Sequence, residues 1–132
     1  MSNEPQPTPI REILVHKIEG DDSHVQVFAD DRDPGCGNAA HNFLFLLPGQ
    51  QDVSKAHDLR FQRGPLKVAG PNGVQDSAVI AVLIERFEGF QAGPFACETN
   101  ARVLKHLKAA LDLNSQRTRD RIARGVEGQN KA

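Results

Sequence analysis

Three arginines near the end of the chain have a spacing that suits the binding of a phosphate group. Arg117, Arg121 and Arg124 occur at positions i, i+4 and i+7, so in a helix they share one face. A guanidinium group donates two parallel hydrogen bonds to a phosphate. The same spacing is also typical of a solvated basic helix end, which stabilises the helix dipole. The arginines therefore predict either an anion site or a solvated helix end.

The same predicted helix carries an apolar stripe whose two ends are polar. Its members are Asn100, Leu104, Leu107, Leu111, Asn114, Thr118 and Arg121. Polar groups on a packed face need partners, so they line a wet pocket or lie where the helix leaves the core. Asn100 and Arg121 are roughly 31 Å apart along one helix, too far to hold one nucleotide together. A pocket that uses both must form between two chains, as when two such helices pack antiparallel in a symmetric dimer.

Aromatic side chains are concentrated in the segment before this helix. Phe87, Phe90 and Phe95 are three of the seven phenylalanines and lie within nine residues. Such rings either pack into the core of their own hairpin or stack on a nucleotide base. Phe90 lies between Gly89 and Gly93 and just before the second helix. It is the ring that we expect to stack on a base.

Patterns that carry catalysis or metal binding do not occur in the sequence. The five histidines show no metal-ligand spacing, and Cys36 and Cys97 form no Cys-x-x-Cys pair. The Gly35-Cys36-Gly37 segment is a turn signal, and no base lies beside Cys36 in the sequence. Phosphate-binding glycine loops and nucleophile-elbow motifs are also missing. We therefore expect no enzyme activity, no cofactor and no metal, and two reduced thiols.

The segments that must position these residues change character near residue 74. Short runs rich in β-branched and aromatic residues, separated by turn signals, occur at 13–18, 25–28, 42–47 and 59–62. They predict an antiparallel β-meander within a β-rich region over 11–73. Helical periodicity then predicts a helix over 75–91, apolar nearly all round and therefore buried on more than one side. Gly93-Pro94 ends it.

A second helix is predicted over 96–124, more than about 40 Å long at the usual rise. The two helices form a hairpin over 74–125. The expected fold class is therefore α+β, an N-terminal antiparallel meander followed by a long antiparallel helical hairpin. Because a helix of this length in a small chain often packs against a second copy, we expect an oligomer.

Composition and charge exclude several classes of protein. The chain has 132 residues, of which 39% are apolar and 25% charged, which fits one compact or small two-layer domain. The longest apolar run, Ala78 to Ile84, is seven residues, far short of a membrane span. Residues 1–10 are expected to form a disordered arm rather than a signal peptide, and 126–132 a polar tail. These features predict a cytoplasmic protein.

The net charge of −1 hides an asymmetry between the two halves. Residues 1–60 carry five Lys or Arg against ten Asp or Glu, whereas residues 61–132 carry eleven against seven. The basic second half is therefore where we expect an anionic ligand.

Short motifs in the second half resemble one phage protein family. They are Phe61-Gln62-x-Gly64-Pro65-x-Lys67, Gly70-x-Asn72-Gly73-Val74, the connector from Gly89 to Cys97, Asn100-Ala101, and the segment from Arg117 to Gly128. Together they resemble the Thoeris anti-defence protein one family, whose helical hairpin is shared with a phage anti-CBASS protein. The resemblance covers about half of the chain, and the connector motif is the most specific part.

The resemblance implies a nucleotide sponge that acts in the cytoplasm of an infected bacterium. Proteins of this family bind cyclic ADP-ribose isomers made by TIR-domain enzymes and do not degrade them, so Thoeris effectors stay inactive, and binding of cyclic di- or trinucleotides would extend the block to CBASS effectors. Family members are dimers that assemble into hexamers, and some hexamers hold cyclic di- or trinucleotides in separate pockets. Carried onto this chain, Phe90 stacks on the base, Asn100 hydrogen-bonds the base or its ribose, and Arg117 and Arg121 neutralise the pyrophosphate.

The resemblance is less clear in the N-terminal half, which either covers the nucleotide pocket or docks against the partner chain. Gln62 and Arg63, at the end of the last predicted strand, are further ligand-binding candidates. Arg63 departs from the small polar residue that the family pattern has there.

Two other classes of function fit parts of the sequence. A small phage protein that binds DNA or RNA would use the basic end of the long helix, but the modest excess of positive charge argues against it. A purely structural assembly module would use Asn114 and Thr118 to fix helix register and leave the arginines in solvent. Neither a membrane nor a nucleic acid is the expected partner.

Overall fold

The computed structural model describes residues 11–125, which fall into two compact units. The first unit ends at Arg63 and the second begins at Gly64. A four-stranded antiparallel sheet forms the first, here called the β unit, and helices form the second, here called the helical hairpin. The predicted arm at 1–10 and the predicted tail at 126–132 lie outside the described residues. The predicted α+β class is confirmed, with the sheet preceding the helices.

The sheet is a meander in which each strand pairs with its neighbour in sequence. Its strands are β1 Arg11–Ile13, β2 Gln26–Ala29, β3 Asn42–Leu46 and β4 His57–Arg60. All three pairings are antiparallel, with Phe28 opposite Leu44 and Phe43 opposite Leu59. Phe43 also packs edge-on against Phe61, with ring centroids 5.6 Å apart. Aromatic and branched side chains favour this extended backbone, and the meander is confirmed.

The first strand differs from its predicted position at 13–18. β1 ends at Ile13, and in the turn that follows the Lys17 N–H donates to the Leu14 carbonyl at 2.9 Å. Val15 is 92% exposed, so burial does not favour an extended strand at this position. The prediction was wrong here because a short run of branched residues has the same composition in an exposed turn as in a strand.

One short helix and two long ones form the helical hairpin. They are α1 Leu66–Ala69, α2 Asp76–Gln91 and α3 Glu98–Ala123. α1 was not predicted from the sequence because four residues are too few to show a helical period. α3 has 26 residues and is therefore about 39 Å long. Within residues 11–125, none of the helices has both the length and the hydropathy to cross a membrane.

The long helices pack on each other but bury little apolar surface within one chain. Leu104 of α3 is buried, whereas no described residue of α2 is. An ion pair joins the helices, with Lys108 Nζ 2.9 Å from Glu88 Oε1. The sequence predicted that α2 is buried on more than one side, yet Val82 remains 61% exposed. A single chain therefore does not supply the expected burial of α2.

Candidate functional site

A cluster of three phenylalanine rings lies at the tip of the hairpin. Phe90 packs edge-to-face against Phe87 and Phe95, with ring centroids 5.3 and 6.2 Å away. The guanidinium carbon of Arg86, one turn earlier in α2, lies over the Phe90 ring at 5.3 Å from its centroid. The sequence placed Phe90 in the connector, but it belongs to the last turn of α2 and is half-buried. The neighbouring rings fix its orientation before any ligand arrives.

Asn100 ties the connector to the first turn of α3. Its Nδ2 donates to the Phe95 carbonyl at 3.0 Å, and its backbone N–H donates to Cys97 Sγ at 3.4 Å, which caps the helix. Gln91 Oε1 accepts from the Cys97 N–H at 3.0 Å. Within residues 11–125 no hydrogen bond engages Asn100 Oδ1. Asn100 and Phe90 both contact Phe95, so the structure brings these two predicted residues to the same end of the hairpin.

The arginines lie towards the other end of α3. Arg117 is exposed and Arg121 is half-buried, in accord with positions on neighbouring parts of one helix face. Arg119 points elsewhere, because its Nη2 lies 3.4 Å from Asp112 Oδ1 and 3.0 Å from Gln116 Oε1. Among the described residues, none makes a hydrogen bond or ion pair with the Arg117 side chain. Its guanidinium therefore faces solvent and can pair with an anion.

The continuity of α3 separates the two groups of predicted residues. Asn100 lies in its first turn and Arg121 in its last, and the helix between them is unbroken. At the usual rise they are roughly 31 Å apart. One hairpin therefore presents an aromatic and amide end and, at a distance, a guanidinium end. A nucleotide is too small to touch both ends of the same chain.

Gln62 and Arg63 belong to the β unit, directly after β4. The Arg63 side chain is held within the β unit, because its Nε donates to Asp33 Oδ2 at 2.8 Å. This hydrogen bond, together with the charge of Asp33, raises the pKa of Arg63 further above its ordinary value. Burial by itself would raise the pKa of Asp33, but the hydrogen bond and charge of Arg63 outweigh it and hold that pKa below its ordinary value. Both groups are therefore charged at neutral pH.

A cluster of chemically reactive side chains beside Arg63 was not predicted from the sequence. Asp33, Cys36 and His41 place one ligand atom each within 4.8 Å of one another. Cys36 had no base beside it in the sequence, yet the fold brings His41 close to it. The available signal was the glycine-rich turn between Asp33 and His41, since a tight turn reverses the chain and joins its flanks. The spacing of these three residues matches no standard metal motif.

Comparisons with known proteins agree with the resemblance carried by the hairpin motifs. Residues 54–111 match a family model described as the Acb2/Tad1 hairpin domain. The chain is also 33% identical, over 126 residues, to a protein named Thoeris anti-defense 1 from Bacillus phage SBSphiJ7. That similarity covers 80% of this chain and 89% of the relative, so it includes much of the β unit as well as the hairpin.

Proposed function

Because this chain belongs to the Acb2/Tad1 family of Thoeris anti-defence proteins, we propose that it is a phage sponge for immune signalling nucleotides. It binds and sequesters cyclic ADP-ribose-type molecules, and cyclic di- or trinucleotides as further ligands, without cleaving them. By lowering the free concentration of the signal it blocks Thoeris effectors, and CBASS effectors where their signals bind. It acts in the cytoplasm of the infected bacterium.

The observation that carries this proposal is the chemical division between the two ends of the hairpin. Phe90 offers an aromatic face at one end, where a base stacks with a gain of about 1–3 kcal/mol. Asn100 lies at the same end and has an amide oxygen that accepts from a base or a ribose hydroxyl. Arg117 and Arg121 at the other end suit a pyrophosphate, which takes paired hydrogen bonds from guanidinium groups. These groups match the parts of a cyclic ADP-ribose.

Two chains are needed to bring these groups to one ligand. In a symmetric dimer with antiparallel hairpins, the Phe90 and Asn100 end of one chain lies beside Arg117 and Arg121 of the other. The symmetry then creates two equivalent pockets. Exposed apolar side chains on both long helices, such as Val82 and Leu113, supply surface for this dimer and for its further assembly into a hexamer.

Retention without cleavage follows from the groups that the pocket would contain. Phe90, Asn100 and two arginines include no general base and no nucleophile of the usual kinds. A ligand enclosed by a stacked ring and paired guanidinium groups leaves slowly. A protein that only binds its target works by mass action, so it needs a high affinity and a stoichiometric amount.

A capture-and-release assay tests the proposal. The purified chain is incubated with cyclic ADP-ribose isomers and with cyclic di- and trinucleotides, freed of unbound ligand by filtration, and denatured by heat. Chromatography of the released material is expected to return an intact nucleotide. A cleaved product would identify an enzyme, and the absence of any nucleotide would contradict the sponge.

Matched variants connect the assay to the pocket. Phe90→Leu keeps an apolar side chain in the ring cluster but removes the stacking face, so retention is expected to fall with little change in helicity. Arg121→Ala is expected to abolish retention. Arg119→Ala is the control, because the Arg119 side chain pairs with Asp112, two turns earlier in α3. An equal loss in the Arg119→Ala variant would favour a diffuse basic surface over a defined pocket.

A further inference from the structure

The loop between β2 and β3 folds three potential metal ligands onto one another. Asp33 caps a 3₁₀ turn, Pro34–Cys36, by accepting from the Gly35 N–H at 3.1 Å. The left-handed backbone of Gly37 and Asn38 then reverses the chain, and the Asn38 N–H donates back to the Asp33 carbonyl at 2.8 Å. As a result Asp33, Cys36 and His41 place a carboxylate oxygen, a sulfur and a ring nitrogen within 4.8 Å of one another.

His41 supplies an independent indication that something binds at this point. Its side chain is only 8% exposed, and its Nε2 is buried without a hydrogen-bond partner among the described residues. That nitrogen lies 3.5 Å from Asp33 Oδ2, too far for a good hydrogen bond. The backbone N–H of His41 donates to the buried Asp30 at 3.0 Å, which holds the residue in place. A buried ring nitrogen without a partner is costly, and a metal ion would satisfy it.

We propose that Asp33, Cys36 and His41 bind one Zn²⁺ ion in the β unit. A donor set of oxygen, sulfur and nitrogen suits Zn²⁺, whereas Mg²⁺ and Ca²⁺ prefer oxygen alone. Ligand atoms on a tetrahedral Zn²⁺ lie about 3.3–3.8 Å from each other, so the observed spacing needs only a small contraction. Cys36 binds as the thiolate, and its proton passes to solvent. Three protein ligands leave the fourth position for water.

Arg63 is the group that competes with the ion. Its Nε is 2.8 Å from Asp33 Oδ2, and its side chain is 40% exposed, so it has room to move aside. A cleft of about 220 Å³, lined by residues that include Asp33, His41 and Arg63, gives an ion access to the cluster. A bound divalent cation neutralises the Asp33 carboxylate and the Cys36 thiolate. The positive charge of Arg63 is then no longer needed beside Asp33.

Metal titration of the full chain tests this site. The protein is stripped with a chelator, kept reduced, and titrated with Co²⁺, whose bond to a thiolate gives a charge-transfer absorption in the near ultraviolet. We expect one equivalent of Co²⁺ with this absorption, and displacement of the band by Zn²⁺ but not by an equal concentration of Mg²⁺. A folded chain without the band would overturn the proposal.

Two variants locate the ion and one serves as the control. Cys36→Ser is expected to abolish the charge-transfer band and weaken binding by about 100-fold, since losing a ligand costs at least as much as losing an outer-shell partner. Asp33→Asn keeps an acceptor for the Gly35 N–H but weakens binding through its lost charge. Cys97→Ser removes the thiol of the other unit and is expected to change nothing. A band lost in Cys97→Ser but kept in Cys36→Ser would overturn the assignment, and circular dichroism checks that each variant folds.

Discussion

In the β unit, polar side chains of Asp30, His41 and Asn42 are almost completely buried, whereas in the helical hairpin Val82 and Leu113 expose more than half of their surface. Asp30 repays its burial with hydrogen bonds from the His41 backbone and from Asn42 Nδ2, at 3.0 and 2.7 Å. Between the long helices of the hairpin, Lys108 Nζ lies 2.9 Å from Glu88 Oε1, and both of these side chains are about half exposed. The β unit is thus held by an internal polar network, and the two long helices of the hairpin expose apolar side chains that suit contact with another chain.

This difference between the two units indicates which of them fixes a single folded arrangement and which is free to bind. Asp30, the His41 backbone N–H and Asn42 define one arrangement of the loop between β2 and β3, because each of these buried groups has a hydrogen-bond partner there. Exposed apolar side chains on a helix leave the hairpin able to associate. Substitutions in the β unit should therefore act mainly on folding, and substitutions in the hairpin on assembly and ligand retention.

The largest effect is expected for Asp30→Ala in the β unit. The change removes the acceptor of two buried donors, which should lower the free energy of unfolding by about 3 kcal/mol. Denaturant titration measures this change in the free energy of unfolding, and circular dichroism follows the unfolding of the helices separately. Asp31→Ala is the matched control. Because Asp31 is exposed, this substitution should lower the free energy of unfolding by less than about 0.5 kcal/mol. Equal losses for the two variants would show that the buried network does not stabilise the unit.

In the hairpin, the largest effect is expected for Leu104→Ala. Leu104 is the buried apolar residue of α3, and its truncation should cost about 2–3 kcal/mol in thermal or denaturant unfolding. Leu113→Ala removes the same atoms from a side chain that is 72% exposed in one chain. It should leave the unfolding of the dilute chain almost unchanged and instead weaken self-association, which sedimentation measures. A large cost for Leu113→Ala at high dilution would contradict the described packing.

Much of the fold could be predicted from the sequence, because it depends on local periodicity. Alternation around Phe43 and Phe45 indicates a strand, and the Gly93-Pro94 stop defines the end of α2. The strand predicted around Val15 does not form, because residue composition does not report whether another strand covers a run. The Asp33, Cys36 and His41 cluster depends on a chain reversal at Gly37 and Asn38, and no sequence pattern gave the resulting distances. The sequence could place Asn100 and Arg121 at opposite ends of α3, because their separation depends on one helix alone.

The smallest effect is expected from acid acting on the turns of the β unit. The Ser23 hydroxyl and backbone N–H lower the pKa of Asp21, and the same groups of Ser54 lower the pKa of Asp52. A lowered pKa means that the carboxylate stabilises its turn above its ordinary pKa and that this stabilisation is lost as the pH falls through the lowered value. The amide resonances of Ser23 and Ser54 should therefore titrate with midpoints below 3.8.

An Asp52→Asn variant provides the control for this titration. Asparagine still accepts the Ser54 hydrogen bonds but does not titrate, so the step at Ser54 should disappear and the step at Ser23 should remain. Midpoints at or above the ordinary value would show that these side chains do not cap their turns in solution.

Complementation between two inactive variants tests whether a nucleotide pocket joins opposite ends of two hairpins. Asn100→Ala and Arg121→Ala are co-expressed with different tags, and mixed dimers are isolated and loaded with the cyclic ADP-ribose isomer that the unchanged protein retains. One of their two pockets then has both residues intact, so the mixed dimer should retain about half of the unchanged protein's nucleotide per chain.

Mixed dimers of Arg117→Ala with Arg121→Ala are the matched control, because each of their pockets lacks one arginine and neither should retain nucleotide. Recovery in the first pair and none in the second is the predicted result. Mixed dimers that retain nothing in either pair, although both variants fold and associate, would contradict a pocket shared between chains.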